Sequence, residues 1–169
     1  MICPSCGHDN LEGVDRCDEC LTPLLNLDVP RAEATEGLAR SVMEDKLSQI
    51  EQEFLGVAAG TPAIDVIGQM REARLGCALV MDGRRLVGIF TEHDVLKKLS
   101  GPNAFPATTA VDSLMTRDPE TLRETDSVAA GLNKMSLGRY RHLPVRKADG
   151  SYSVVSIKHV LKYIAQEEW

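Results

Sequence analysis

From Leu38 onward the chain moves between two hydrophobic periods. Apolar residues at Leu38, Val42, Met43, Leu47, Ile50 and Phe54 fall three and four apart, which predicts an amphipathic helix ending before Gly56. A short extended piece at 57–59 then precedes a helix carrying Ala63, Ile64, Ile67 and Met70. Two extended segments follow, 78–81 and 86–90, joined by the turn sequence Asp82-Gly83-Arg84, and a closing helix begins after Thr91. The same order returns near 120–123, with a helix through Val128, Leu132 and Met135. Segments 143–146 and 152–155 are joined by Ala148-Asp149-Gly150, and a last helix begins after Ser156.

The recurrence is an internal repeat. A shift of 65 residues lays Met70 on Met135, Arg74 on Arg139, Val80 on Val145 and Thr91 on Ser156, and Val95-Leu96-Lys97 on Val160-Leu161-Lys162, without a gap. Each copy reads β-α-β-β-α, an α+β unit whose two helices cover one sheet face and leave the other apolar face open. Two such repeats are expected to pack face to face.

Residues 1–24 have no hydrophobic period and too little apolar material for a core, so something other than burial must hold them. Residues 25–40, with Pro30 and alternating small and acidic residues, read as a linker running into a helix start near Thr35 or Glu36. The expected division is therefore 1–24, a linker at 25–40, a first repeat with its leading helix at 41–105 and a second repeat at 106–169.

Composition narrows the function classes. With 169 residues, 43% hydrophobic and 26% charged, the chain suits one compact domain and a small appendage, not a large multidomain enzyme. The longest apolar runs, 77–81 and 86–90, are too short to span a bilayer, and the opening Met-Ile-Cys-Pro lacks signal-peptide features. A cytoplasmic protein without a membrane partner is expected. Residues 1–34 hold seven acids and two bases, and the remainder 18 acids and 17 bases. Neither part has the basic excess that phosphate backbones demand, which argues against nucleic acid as a partner.

Four of the five cysteines lie in the first twenty residues, as Cys3-x2-Cys6 and Cys17-x2-Cys20 separated by ten residues. A two-residue gap lets the chain turn back so that both sulfurs reach one ion about 2.3 Å away, and two such knuckles complete a tetrahedron. Gly7 suits the tight turn after the first pair. Structural Zn2+ is the expected ion, since metal binding can fold a segment that has no core. A redox role for the C-x-x-C pairs would call for a strand-to-helix setting that this segment lacks. The segment resembles small zinc ribbons that open with C-P-x-C-G and close with C-x-x-C before T-P-L, here Cys20-Leu21-Thr22-Pro23-Leu24. Leu21 stands where such ribbons often have glycine, so a less regular second knuckle is expected. Its acidic balance favours a protein contact over phosphate.

In the first repeat, Gly88-Ile89-Phe90-Thr91-Glu92-His93-Asp94 puts a hydroxyl, helix-start N–H groups and a carboxylate at one strand end. Two readings fit the spacing: a capping box with Thr91 as N-cap and Asp94 at N3, or a site for a nucleoside phosphate. The tandem repeat, this motif and Tyr140-Arg141-His142-Leu143-Pro144-Val145 together resemble the CBS-domain family (cystathionine-beta-synthase type), over roughly residues 43–165. The resemblance implies a tandem CBS pair, or Bateman module, with an adenosyl-ligand site. There Asp94 would grip the ribose, Thr91 the phosphate side and the strand near Gly88 and Ile89 the adenine. Thr61, ahead of the first repeat's first helix, joins the implied contacts.

In the second copy the matching residues are Ser153, Ser156 and His159, and an imidazole cannot accept two hydroxyl hydrogen bonds as a carboxylate does. One competent site per chain is expected. Arg141 and His142 either point basic groups at phosphate or form a solvated rim. Cys77 is expected as a small core residue, and none of the common catalytic motifs occurs in the sequence.

The leading expectation is a non-enzymatic sensor of AMP, ADP, ATP or S-adenosylmethionine, with a likeness to homodimeric family members, an unidentified protein target and the ribbon as a structural or docking element. Two alternatives stand beside it: a dimeric scaffold that presents zinc ribbons without a ligand, and a nucleotide-gated nucleic-acid binder.

Overall fold

The computed structural model describes residues 2–11, 14–24 and 38–166. The linker and the helix start expected at Thr35 or Glu36 fall largely on 25–37, outside the described residues. The chain forms two compact units, Met1–Thr35 and Glu36–Trp169.

In the larger unit α1 (Leu38–Glu44) leads into a 3-10 turn, Leu47–Gln49. The first repeat then runs β1 (Gly56–Ala58), α2 (Ala63–Ala73), β2 (Cys77–Asp82), β3 (Arg85–Thr91) and α3 (Glu92–Lys98). A second 3-10 turn, Val111–Ser113, precedes β4 (Thr116–Arg117). The second repeat follows as β5 (Leu122–Arg123), α4 (Val128–Gly138), β6 (His142–Arg146), β7 (Tyr152–Ser156) and α5 (Ile157–Gln166). The expected β-α-β-β-α order is present twice, with β1 parallel to β2 and β5 parallel to β6, and an antiparallel hairpin in each copy. The strand pairs Cys77–Thr91 and His142–Ser156 keep the 65-residue register, while the turns between them, with Gly83 and Gly150 in left-handed conformation, differ in length.

Each repeat has its own core, and a third core lies between the sheets. Val66, Met70, Val80 and Phe90 fill the first repeat, and Val128, Met135, Leu143, Val145 and Val155 the second. Cys77, Leu79, Ile89 and Val154, flanked by Phe54, Met81, Leu86 and Tyr152, join the open sheet faces. The face-to-face packing follows from alternation. Along β7, Val155 turns to the helices and Val154 to the other repeat. Cys77 is buried there, and desolvation together with the Glu92 charge pushes its thiol up to about 12, which makes it an inert core residue.

The leading segment departs from expectation. A helix over 38–54 is not formed: α1 stops at Glu44, and Lys46 is extended at φ −90° and ψ 152°. Leu47 donates its N–H to the Asp126 carbonyl (2.9 Å) and Ser48 to Glu124 (3.0 Å), while Gln52 pairs with Val154. These bonds carry Leu47 and Ile50 into the core of the second repeat. A continuous helix would leave both short of that core, so tertiary burial overrides the local period. The segment ahead of the second repeat does the same in reverse. Val111, Leu114 and Met115 enter the core of the first repeat, and β4 pairs with β3. Each repeat is thus completed by the stretch that precedes the other.

The small unit is built on two equivalent knuckles. Cys3 donates its N–H to the His8 carbonyl (2.8 Å) and Gly7 to Cys3 (2.9 Å); Cys17 donates to Thr22 (2.9 Å) and Leu21 to Cys17 (2.9 Å). The second knuckle is therefore as regular as the first, contrary to the sequence expectation. Leu21 takes the left-handed conformation of Gly7, at φ 57° against 76°, and carries its usual steric cost of about 1 kcal/mol. Among the described residues its buried hydrophobic core is Cys3, Cys17 and Leu24, with Val14 beside them.

Candidate functional site

At the end of β3 the chain enters α3 through a capping box. Thr91 Oγ1 accepts from the Asp94 N–H (3.4 Å), and Asp94 Oδ2 accepts from the Thr91 N–H (3.0 Å) and from the Thr91 hydroxyl (2.8 Å). Lys98 Nζ donates to Asp94 Oδ1 (2.7 Å) and also reaches the Leu114 carbonyl. Asp94 is only 5% exposed. The capped carboxylate lines a cavity of about 560 Å³. Its four lone-pair positions take three donors, two on Oδ2 and one on Oδ1, so Oδ1 keeps one for an incoming hydroxyl.

Five of the residues expected at the site meet in this cavity: Ile89, Thr91, Asp94, Arg141 and His142. Gly88 and Thr61 do not line it. A Cβ on Gly88 would stand 2.1 Å from Met115 Sδ, so this glycine serves the close approach of the exchanged segment. Thr61 precedes α2, where its N–H donates to Ala58 and its carbonyl accepts from Val111. Lining residues that sequence reasoning passed over are Thr116, Asp118 and Pro119 from β4 and its exit, and Tyr140. The signal for the first three was the exchange of segments, which no local pattern announces. Glu120 in the same wall accepts from Tyr140 Oη (2.7 Å) and Lys134 Nζ (2.5 Å). Burial opposes its ionisation, but the two donors prevail and hold its carboxyl below the usual range.

A second cavity, about 590 Å³, occupies the corresponding place at the end of β7 and shares Glu92, Arg141 and His142 with the first. Here Ser156 donates its N–H to His159 Nδ1 (3.3 Å), so an imidazole does the capping that Asp94 does in the first repeat. Burial lowers the His159 pKa, and Lys158 and Lys162 lower it further. His142 is also lowered, by burial first, with Glu92 opposing and His159 and Arg141 adding to the shift. Gly76 makes room for that ring, since a Cβ there would stand 2.7 Å from His142 Nε2. Ser153, which replaces Gly88, donates its hydroxyl to Glu51 Oε2 (2.6 Å), and Lys147 pairs with Glu51 Oε1 (2.6 Å).

Among the described residues, the non-glycine positions with positive φ are Leu21, Arg74, Asp118 and Arg139. The last three line the two cavities, Arg74 and Arg139 as the matching C-caps of α2 and α4. Left-handed conformations at such residues cost about 1 kcal/mol or more each and gather where a site fixes the backbone.

In the small unit the four sulfurs of Cys3, Cys6, Cys17 and Cys20 lie within 4.8 Å of one another, with Cys3–Cys20 and Cys6–Cys17 at 3.6 Å. A tetrahedron with bonds of about 2.3 Å sets sulfurs about 3.8 Å apart, so this donor set suits one tetrahedral ion. The Ser5 N–H points at Cys3 Sγ (3.4 Å), the kind of backbone contact that steadies a thiolate ligand.

The model of the CBS domain matches residues 47–101 and 111–166. A 17.7 kDa protein in the bps2 3' region of Acidianus ambivalens is 32% identical over 123 residues, covering 71% of this chain and 73% of that one. The CBS domain-containing protein CBSCBSPB1 of Arabidopsis thaliana is 32% identical over 111 residues, 65% of this chain; the chain spans about a fifth of that relative's length. Among solved structures, a conserved protein from Pyrococcus horikoshii superposes with a TM-score of 0.68 at 22% identity, covering 75% of this chain and 96% of that one. A CBS domain protein from Pyrobaculum aerophilum, solved in complex with AMP, gives a TM-score of 0.61 at 20% identity, covering 71% and 98%. Among the described residues no helix is long and apolar enough to cross a membrane.

Proposed function

Because the chain belongs to the CBS-domain family, we propose that its tandem repeats form a non-enzymatic regulatory module that binds one adenine nucleotide in the cavity at the end of β3. One observation carries the reading: the cavity of about 560 Å³ brings Ile89, Thr91, Asp94, Arg141 and His142 onto one wall system. Its size falls within the usual range for ligand pockets, about 300–1,000 Å³. The complex of the Pyrobaculum aerophilum protein with AMP supports the ligand class.

In this site the free lone pair of Asp94 Oδ1 takes a ribose hydroxyl. Ile89, Pro119 and Pro144 offer apolar surface to the base, and Arg139, Arg141 and His142 neutralise phosphate. Thr91 contributes through Asp94, because its hydroxyl hydrogen is committed to that carboxylate. Calorimetry with AMP, ADP, ATP and S-adenosylmethionine tests the proposal. Saturable binding near one ligand per chain, lost in Asp94→Ala and little changed for AMP in His159→Ala, is the expected result. Flat titrations with all four compounds overturn it.

The ligand-free scaffold keeps one observation in its favour: the Thr91–Asp94–Lys98 network satisfies itself without a nucleotide. Thermal unfolding separates the two readings, since a ligand at 100 times its dissociation constant stabilises by about 2.7 kcal/mol and a scaffold gains nothing.

For the small unit the proposed cofactor is structural Zn2+ on Cys3, Cys6, Cys17 and Cys20, whose sulfur spacing suits it. The ion holds together a unit whose hydrophobic core, among the described residues, is two cysteines and one leucine, and the ribbon then serves as a docking element for a protein. One equivalent of zinc per chain, with loss of folded ribbon signals on chelation, is the expected result of metal analysis and NMR; a folded ribbon without metal overturns it.

A further inference from the structure

The second cavity differs from the first in charge and in what its hydroxyl does. Arg74, Lys158, Lys162 and the shared Arg141 line it, with His142 and His159; its acids are Glu53 and Glu92. None of the four cations forms an ion pair among the described residues. Ser156 is 5% exposed and lines the cavity, yet its hydroxyl has no hydrogen-bond partner among the described residues. A hydroxyl on a cavity wall without a protein partner is free to bond a molecule that enters. In the first repeat the equivalent Thr91 hydroxyl is consumed by Asp94.

Ser156 also stands immediately before α5, a helix of ten residues. The Ile157 N–H is taken by the Arg141 carbonyl (2.9 Å), and the next two N–H groups have no acceptor inside the helix by the geometry of a helix start. His159 Nδ1 accepts from the Ser156 N–H, so its proton sits on Nε2. At the position of Asp94 the one acceptor nitrogen of His159 is therefore taken, and the side chains of Arg74, Lys158 and Lys162 bring donors to the same cavity. The lowered pKa values of His142 and His159, each traced in part to neighbouring cations, report the same positive field.

We propose that the second cavity is a phosphate site: Ser156, the first turn of α5 and the Arg74, Lys158 and Lys162 side chains bind a phosphoryl anion without recognising a sugar. Two sources present that chemistry, a free pyrophosphate-like anion and the distal phosphates of a nucleotide whose sugar rests on Asp94. The shared Arg141 and His142 lie where such a tail would pass.

Titration of the full-length protein with inorganic pyrophosphate, adenosine, AMP and ATP tests this at fixed ionic strength. Pyrophosphate is expected to bind saturably, to weaken at least tenfold in Ser156→Ala and in Lys158→Ala/Lys162→Ala, and to be unaffected by Asp94→Ala. Adenosine affinity is expected to stay unchanged in the Ser156 and lysine variants. A nucleotide tail as source shows as ATP binding more tightly than AMP by a margin that Ser156→Ala removes, together with competition by pyrophosphate. A free anion as source shows as pyrophosphate and AMP binding together. Histidine NMR keeps the test independent of folding, because pyrophosphate must shift the His159 ring signals in the unaltered protein. No pyrophosphate binding, binding lost in Asp94→Ala but not in Ser156→Ala, or unshifted His159 signals each overturn the proposal. Loss of adenosine binding alone defeats the nucleotide reading of the first cavity and leaves this one standing.

Discussion

The first repeat closes its strand-to-helix junction with Thr91, Asp94 and Lys98, and the second closes the same junction with Ser156 and His159. Both caps satisfy a backbone N–H at the same place, so the fold is indifferent to which residue does it. The chemistry left over is opposite. A carboxylate with one spare lone pair remains in the first, and an unpaired hydroxyl among cations in the second. Three residues earlier on the same strands, Gly88 yields to Met115 in the first repeat, while Ser153 bonds Glu51 in the second. These are alternative solutions of one packing problem.

The contrast can be broken at Gly88. Replacing it with alanine drives a Cβ to within 2.1 Å of Met115 Sδ and 2.8 Å of its Cγ, and is expected to destabilise the larger unit by about 3 kcal/mol. Urea unfolding checks this, and the double variant Gly88→Ala/Met115→Ala should recover part of the loss if the clash is the cause. Next in size is Glu51→Ala, which leaves the Ser153 hydroxyl, 1% exposed, without its acceptor, at about 2 kcal/mol. Gln at the same position should cost less, because its carbonyl still accepts.

Asp94 sharpens the comparison further. Asp94→Ala removes the cap and should cost about 1 kcal/mol, whereas Asp94→His copies the second repeat and should retain more of the stability. Both are expected to abolish AMP binding. An Asp94→His protein that binds AMP normally would show that the carboxylate is only a cap.

The smallest effect concerns pH. His142 and His159 are both held below the ordinary histidine value of 6.5, with burial the first cause in each. The unfolded chain therefore takes up these protons at higher pH than the folded one. The neutral rings contribute stability above about 6.5 that is lost as pH falls through the window down to the depressed folded values. Urea midpoints at pH 7.5 and 5.5 should show a modest fall, and less of one in His159→Gln.

Much of this was legible in the sequence. The 65-residue repeat, both hairpins and the position of every principal helix after Gly56 came from hydrophobic period and turn residues, because each depends on neighbours a few positions apart. The leading segment was not legible. Leu47 and Ile50 keep helical spacing, yet a short helix, a 3-10 turn and an extended piece satisfy the same pattern, and what decides between them is a core about a hundred residues further along. Leu21 was misread for a related reason: hydrogen bonding around the cysteines imposes a conformation that leucine would not choose alone. At Thr91 and Asp94 the capping box read from the spacing is formed, and the same two residues line a cavity. The contribution of Thr116 and Asp118, and the bond from Ser153 to Glu51, span distances in sequence that no local motif encodes.

The crossed completion of the two halves also bears on how the molecule forms and how it can be cut. Severing the chain midway between the halves would hand each fragment a strip that belongs to the other, so neither piece should fold until both are mixed. Deleting residues 38–52 should unravel the distant carboxyl-terminal half before the adjacent one. Since the necessary contacts close loops of roughly a hundred residues, maturation should be slow for a domain of this size and reached in a single concerted step.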